Sequence, residues 1–204
     1  MIVSIYHIFA KEREKCIMAQ FDVDKYKEIS QKISHMEKRS DMYDVFSQND
    51  EACQGLRDTI LGSVFDGKYT MAYQPHIDKE GSCTGAEALF RLNIDGVFIN
   101  PAFVFALAGY YGEEKALTLH TLDRVCAESI EFGEKITPYF VTTFNVDPDI
   151  FCDFCDEYRA VLEKHHINPH SIAIEMTEGS ILTDEVKEKM KKLHEKIADI
   201  QRDY

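Results

Sequence analysis

No stretch of this chain approaches the roughly 20 consecutive apolar residues that a membrane-spanning helix needs. The apolar patch from Ile2 to Ala10 has no basic residue before it, and Lys11-Glu-Arg-Glu-Lys15 follows at once, which makes a poor signal peptide. Basic residues are also in short supply. Lys and Arg number 23 against 36 Asp and Glu, a net charge of −13. That balance argues against binding a nucleic-acid polymer or an anionic membrane surface. It leaves room for a small anionic ligand in a local pocket, above all one bridged by metal ions. A second CxxC and a tightly spaced histidine pair are missing too, so Cys152-Asp-Phe-Cys155 is read as two helix-face cysteines rather than a zinc or redox site, even with His165, His166 and His170 close by. The six cysteines are scattered and no secretion signal accompanies them, so a reduced cytoplasm is expected.

What is present suits a folded chain. With 204 residues, 45% of them hydrophobic, there is material for one substantial domain plus an extension. Residues 1–53 differ from the rest. Tyr26, Ile29, Ile33 and Met36 are spaced three, four and three apart among polar residues, which predicts an amphipathic helix. Such a helix serves equally as a helix packed on its own domain or as a dimer or linker helix. A break is expected at 47–50. From residue 54 the pattern becomes α/β: a helix over 56–65, a turn at Gly67, a strand over 69–75 and a second over 84–93. Helices follow over 102–108 and 113–131, then a strand over 138–146, a helix over 148–165, a strand over 171–176 and a charged helix over 184–200. Alternating strands and helices imply parallel βαβ units. Such sheets bind ligands at the carboxyl ends of their strands. The polar residues late in each strand are therefore the ones to watch: Gln74, Glu87 to Arg91, Asn145, and Glu175 with Glu178.

The strand Thr84-Gly-Ala-Glu-Ala-Leu-Phe-Arg-Leu-Asn93 carries an acid and a base among apolar residues. Side chains alternate along a strand, so Glu87, Leu89 and Arg91 share one face and Ala86, Ala88 and Phe90 the other. At about 3.3 Å per residue the Cα atoms of Glu87 and Arg91 lie roughly 13 Å apart, too far for a simple mutual salt bridge. Each needs its own partner, because an unpaired buried charge is costly. Both could sit at a wet edge or pair with different neighbours. The sharper reading is a pocket that holds a cation near Glu87 and an anion near Arg91.

Four motifs in order favour the pocket. Tyr73-Gln-Pro75, Gly85-Ala-Glu-Ala-Leu-Phe-Arg91, Phe144-Asn-Val146 and Ile174-Glu-Met-Thr-Glu178 together resemble the EAL family of cyclic di-GMP phosphodiesterases, with Glu87-Ala88-Leu89 as the name-giving triplet. Leu56-Arg-Asp-Thr-Ile60 and Asn100-Pro101 fit as well, and the likeness runs from about residue 54 onward. The resemblance implies a TIM-like (β/α) barrel that hydrolyses cyclic di-GMP to the linear dinucleotide with Mg²⁺ or Mn²⁺. It implies Glu87, Asn145 and Glu175 as metal ligands, with Glu87 and Glu178 in the catalytic set and Glu178 supporting the loop beside the metals. It also implies Arg91 on a substrate phosphate, Leu89 at the guanine and Gln74 beside the substrate. The chemistry agrees, since hard divalent cations take oxygen ligands and arginine matches phosphate bidentately.

The likeness has a limit. The family's Asp-Asp-Phe-Gly strand, and the lysine, glutamate and glutamine of later strands, have no counterpart here. About 150 residues follow residue 53, against about 250 for a typical barrel. The expectation is an incomplete EAL barrel over 54–204, its first half or slightly more, preceded by an N-terminal helical extension over 1–53. The sequence is read as truncated before the Asp-Asp-Phe-Gly strand and inactive in hydrolysis on its own. An open sheet edge or the N-terminal helix is a candidate surface for homo-oligomers. The alternative is a degenerate EAL protein that binds cyclic di-GMP or a protein partner without hydrolysis.

Overall fold

The first helix begins where the sequence supplies a cap. Asp22 accepts a hydrogen bond from the Lys25 amide at 2.9 Å and opens α1 (Val23–Ile33). The computed structural model describes residues 20–147 and 155–176, together with the isolated helical positions Glu188, Lys191 and Glu195. Two further helices, α2 (Arg39–Gln48) and α3 (Asp50–Phe65), meet at Asn49, which lies within the expected break. Helix α2 was not expected from the sequence. Only Phe46 on it is fully buried, so its apolar stripe is short.

The sheet follows. Gly67, at φ +75°, turns the chain into β1 (Thr70–Ile77), which pairs with β2 (Cys83–Ile94). That pairing is antiparallel, which corrects the expectation of an all-parallel sheet. The reason is the link of five residues from Asp78 to Ser82. It closes on itself through Asp78 Oδ1, which accepts from the amides of Glu80 at 3.0 Å and Ser82 at 2.8 Å. A parallel crossover needs a dozen residues or more. As an edge strand, β1 tolerates Pro75. Strand β2 then turns at Asp95-Gly96, both with positive φ, into the short antiparallel β3 (Val97–Ile99).

From there the parallel expectation holds. Asn100 caps α4 (Pro101–Tyr110) by accepting from the Ala102 amide at 2.9 Å, with Pro101 in the first turn. Helix α5 (Glu114–Lys135) leads to β4 (Val141–Val146), which lies parallel to β2. Helix α6 (Cys155–His165) leads to β5 (Ile172–Met176), parallel to β4. The sheet order is β1-β2-β4-β5, with β3 beside β2. The sheet does not close among the described residues, as an incomplete α/β barrel requires. No helix of the described residues is long and apolar enough to cross a membrane.

Two cores hold this arrangement. Ala88, Phe144, Val146 and Ile172 on one sheet face pack under Leu122 and Val125 of α5 and Tyr158 and Leu162 of α6. The other core joins Tyr26, Ile29, Ile33 and Phe46 of the early helices to Leu56, Ile60, Leu92, Phe103 and Leu107. The Tyr26 ring meets Phe103 edge-on at 5.1 Å, and the Tyr26 hydroxyl accepts from the Asn100 amide at 2.9 Å. The stripe Tyr26–Ile29–Ile33 is therefore buried within its own chain. Among the two oligomer surfaces expected, that one is already covered.

Replacing Ile29, which has no exposed surface, by alanine should cost about 2–5 kcal/mol in urea unfolding, with one cooperative transition. A cost near zero would mean that α1 does not share the core. A second test concerns pH. His120 lies between the rings of Phe65 and Tyr69, with Nε2 3.1 Å from the Val64 carbonyl. Burial first, with Arg124 and Lys164 adding to it, holds its pKa below 6.5 against the Val64 bond and Asp123. The unfolded chain thus takes up this proton before the folded one does. Stability should fall as pH drops through 6.5, and His120→Gln should flatten that part of the profile of urea midpoints against pH.

Candidate functional site

Strand pairing sets the site. Gln74 stands opposite Glu87, Glu87 opposite Thr143, and Asn145 opposite Glu175. Paired positions share a sheet face, so these five residues, with Leu89 and Arg91 further along β2, project from one side. The other side carries Ala86, Ala88, Phe90, Thr142, Phe144 and Val146, all buried. The uncovered side is graded. Glu87, Leu89, Arg91, Thr143 and Asn145 are half-buried, whereas Gln74 and Glu175 are exposed.

One glycine permits the register. A Cβ on Gly85 would collide with the Val141 carbonyl, and it would also crowd His76. Without that Cβ, β4 approaches closely enough to pair from Gly85–Val141 to Ala88–Phe144. The result is a direct contact: Asn145 Nδ2 donates to Glu87 Oε1 at 2.7 Å. Glu87 therefore finds its partner on the next strand and not in Arg91. Arg91 donates from Nη1 to the carbonyl of Phe90 at 2.9 Å. The structure brings Gln74, Glu87, Leu89, Arg91, Asn145 and Glu175 onto one face. Glu178 lies outside the described residues.

The Glu87 carboxylate and the Asn145 amide meet, and a second carboxylate, Glu175, stands in register with Asn145 one strand over. This set is all oxygen, and it suits a hard cation such as Mg²⁺, Mn²⁺ or Ca²⁺ rather than zinc. Among the described residues no three His, Cys, Asp or Glu side chains form a ready cage, so the amide of Asn145 is needed to complete even a partial one. Of the residues weighed for zinc, His165 is committed to Asp123 at 2.8 Å, and Cys152 and the Cys155 side chain lie outside the described residues. Burial pushes the Cys53 and Cys126 thiols up to about 11 and about 12, which keeps them protonated and unreactive.

Sequence reading missed what lies around the site. Arg39 of α2 pairs with both carboxylate oxygens of Glu114, the first residue of α5, and reaches Asp147 at 3.2 Å, two residues beyond Asn145. Burial pushes the Glu114 carboxyl up, and Arg39 draws it part of the way back. Arg57 of α3 takes Glu113 by a single contact, from Nη2 to Oε1. Gly109 leaves the gap that Arg39, Glu114 and the Tyr43 hydroxyl fill. Nothing local marks these pairs, since Arg39 and Glu114 are 75 positions apart.

Comparison with known proteins places this geometry. The EAL domain model matches residues 57–200, and the chain belongs to the EAL domain family. Solved structures share the fold. The Xanthomonas citri FimX EAL domain, solved in complex with c-diGMP, is 12% identical with a TM-score of 0.62, over 76% of this chain and 60% of that one. The PaMucR phosphodiesterase, solved as a c-di-GMP complex, is 20% identical with a TM-score of 0.58, over 69% and 59%. The apo S helix-GGDEF-EAL portion of Vibrio cholerae LapD is 13% identical with a TM-score of 0.60, over 73% and 36%. This chain thus spans at most 60% of the length of those three. No curated protein sequence matches it.

Gly85→Ala should lower stability by about 1–3 kcal/mol through the clash with the Val141 carbonyl, read as a fall in the urea midpoint. An unchanged midpoint would show that β2 and β4 do not need this close approach.

Proposed function

We propose that this chain binds cyclic di-GMP through a divalent cation, Mg²⁺ or Mn²⁺, held on the uncovered face of the sheet. The observation that carries the reading is the Asn145–Glu87 hydrogen bond, in which the Asn145 amide nitrogen donates to the Glu87 carboxylate and so holds an amide and a carboxylate of adjacent strands side by side. Family membership supplies the ligand class. The FimX and PaMucR structures were solved with c-di-GMP, and their likeness to this chain supports the same choice here.

In this reading Glu87, Asn145 and Glu175 hold the cation. When bound, it polarises a phosphoryl oxygen and lowers the pKa of a coordinated water. The resemblance would make Glu87 and Glu178 the catalytic set of a complete domain, with Glu178 supporting the loop beside the cation. Arg91 lies two rungs along β2 from Leu89, on the same face. Its guanidinium is bound only to a backbone carbonyl among the contacts described, so it keeps donors for a phosphate. Leu89 offers an apolar seat for guanine, and exposed Gln74 flanks it from β1 through its pairing with Glu87.

The EAL reaction is hydrolysis to the linear dinucleotide. This sequence contains no adjacent Asp-Asp pair, so its donors serve one cation well and a second one poorly. We therefore assign binding, with negligible turnover, to the chain as given. Calorimetric titration with cyclic di-GMP in Mg²⁺ should show binding that EDTA abolishes. Glu87→Gln should weaken it about tenfold or more, equal to about 1.4 kcal/mol. Chromatography should find no linear dinucleotide. Absence of binding would sink the proposal, and Glu87-dependent turnover would overturn the assignment of binding alone.

A further inference from the structure

Thr143 stands between the residues from which the site is built. It is the register partner of Glu87 and lies two positions before Asn145, so all three share the uncovered face. Its Oγ1 is buried and has no hydrogen-bond partner among the described residues. Its neighbour Thr142, on the opposite face, is fully buried but paired with Ser129 at 2.8 Å. A buried hydroxyl without a partner is costly, and valine would fill the same shape and suit a strand equally well without that cost. Packing alone therefore does not account for a threonine here.

Glu87 supplies a reason. Its Oε1 accepts from Asn145. A carboxylate that ligates a cation needs its own hydrogen-bond donor to fix its orientation. Among the contacts described Asn145 engages only Oε1, so the other carboxylate oxygen of Glu87 is open to a second donor nearby. The hydroxyl in register is that of Thr143, on a strand about 4.8 Å away. The geometry points to Thr143 as a positioning residue for Glu87: when a cation binds, the Thr143 hydroxyl donates to the Glu87 carboxylate and holds its rotamer. This rests on the cation site proposed above.

The test compares the wild-type chain with Thr143→Val, which exchanges the hydroxyl for a methyl group, and Thr143→Ser, which keeps the hydroxyl and loses the methyl. Thr143→Ala serves as a second hydroxyl-free variant should the valine chain not fold. Each is titrated with Mn²⁺ alone, and each is melted without metal. Thr143→Val should leave the metal-free melting temperature unchanged or raise it, and should weaken Mn²⁺ binding about tenfold. Thr143→Ser should restore most of the affinity. Equal Mn²⁺ affinity in wild type and Thr143→Val overturns the role of Thr143 and leaves the cation site standing. No Mn²⁺ binding by the wild-type chain overturns the cation site and this role with it.

Discussion

A carboxylate on the face of a sheet needs a partner within reach, and Glu87 finds one on the neighbouring strand. The Asn145 amide donates to it at 2.7 Å. That bond depends on β2 and β4 lying parallel in one particular register, and the register depends on Gly85, where a Cβ would strike the Val141 carbonyl. The same register on the far side of β4 puts Glu175 opposite Asn145. A slip of one residue would turn Asn145 into the helix-covered core and bring Phe144 out. One missing side chain thus decides where three oxygen-bearing side chains stand.

The rim of this site is held from two helices that precede the sheet. Glu113 and Glu114 are neighbours at the start of α5, yet they go to different arginines, Arg57 of α3 and Arg39 of α2. Carboxylates at a helix N-terminus already favour the helix dipole. Arg39 adds a second contact, to Asp147 at the exit of β4. Helix α2 and the strand that carries Asn145 therefore share one guanidinium. Loss of the arginine would leave the buried Glu114 uncompensated, which is far more costly than loss of a surface pair.

Much of this was legible because local rules sufficed. The period of two in β2 separates Glu87, Leu89 and Arg91 from Ala86, Ala88 and Phe90, and the structure keeps that division. Asn100-Pro101 announces a helix start, and Gly67 announces a turn. The direction of β1 could also have been read, since a link of five residues cannot carry a parallel crossover. Other features had no local signal. Helix α2 fully buries only Phe46, so its pattern is faint. Arg39 finds Glu114 across 75 positions. Thr142 and Thr143 are the same residue type in adjacent positions, and only the fold decides which hydroxyl is paired and which is not.

The proposed ligand carries two phosphates, whereas the site offers Glu87, Glu175 and, at its rim, Asp147, against Arg91 on the same face. Asp147 is already engaged by Arg39. Left to these charges, a dianion would be repelled, and a chain of net charge −13 gives no long-range attraction to offset that. A cation between Glu87 and the phosphate would reverse the sign at the point of contact, while Arg91, roughly 13 Å along β2, would meet the ligand without being neutralised by Glu87. The separation of acid and base along β2 thus has a physical use. Paired with each other they would cancel, whereas apart they would let one ligand be held through a metal at one end and a guanidinium at the other. On the proposed reading, affinity for the nucleotide would be linked to the cation, because Arg91 alone would not offset the acidity of the surrounding face.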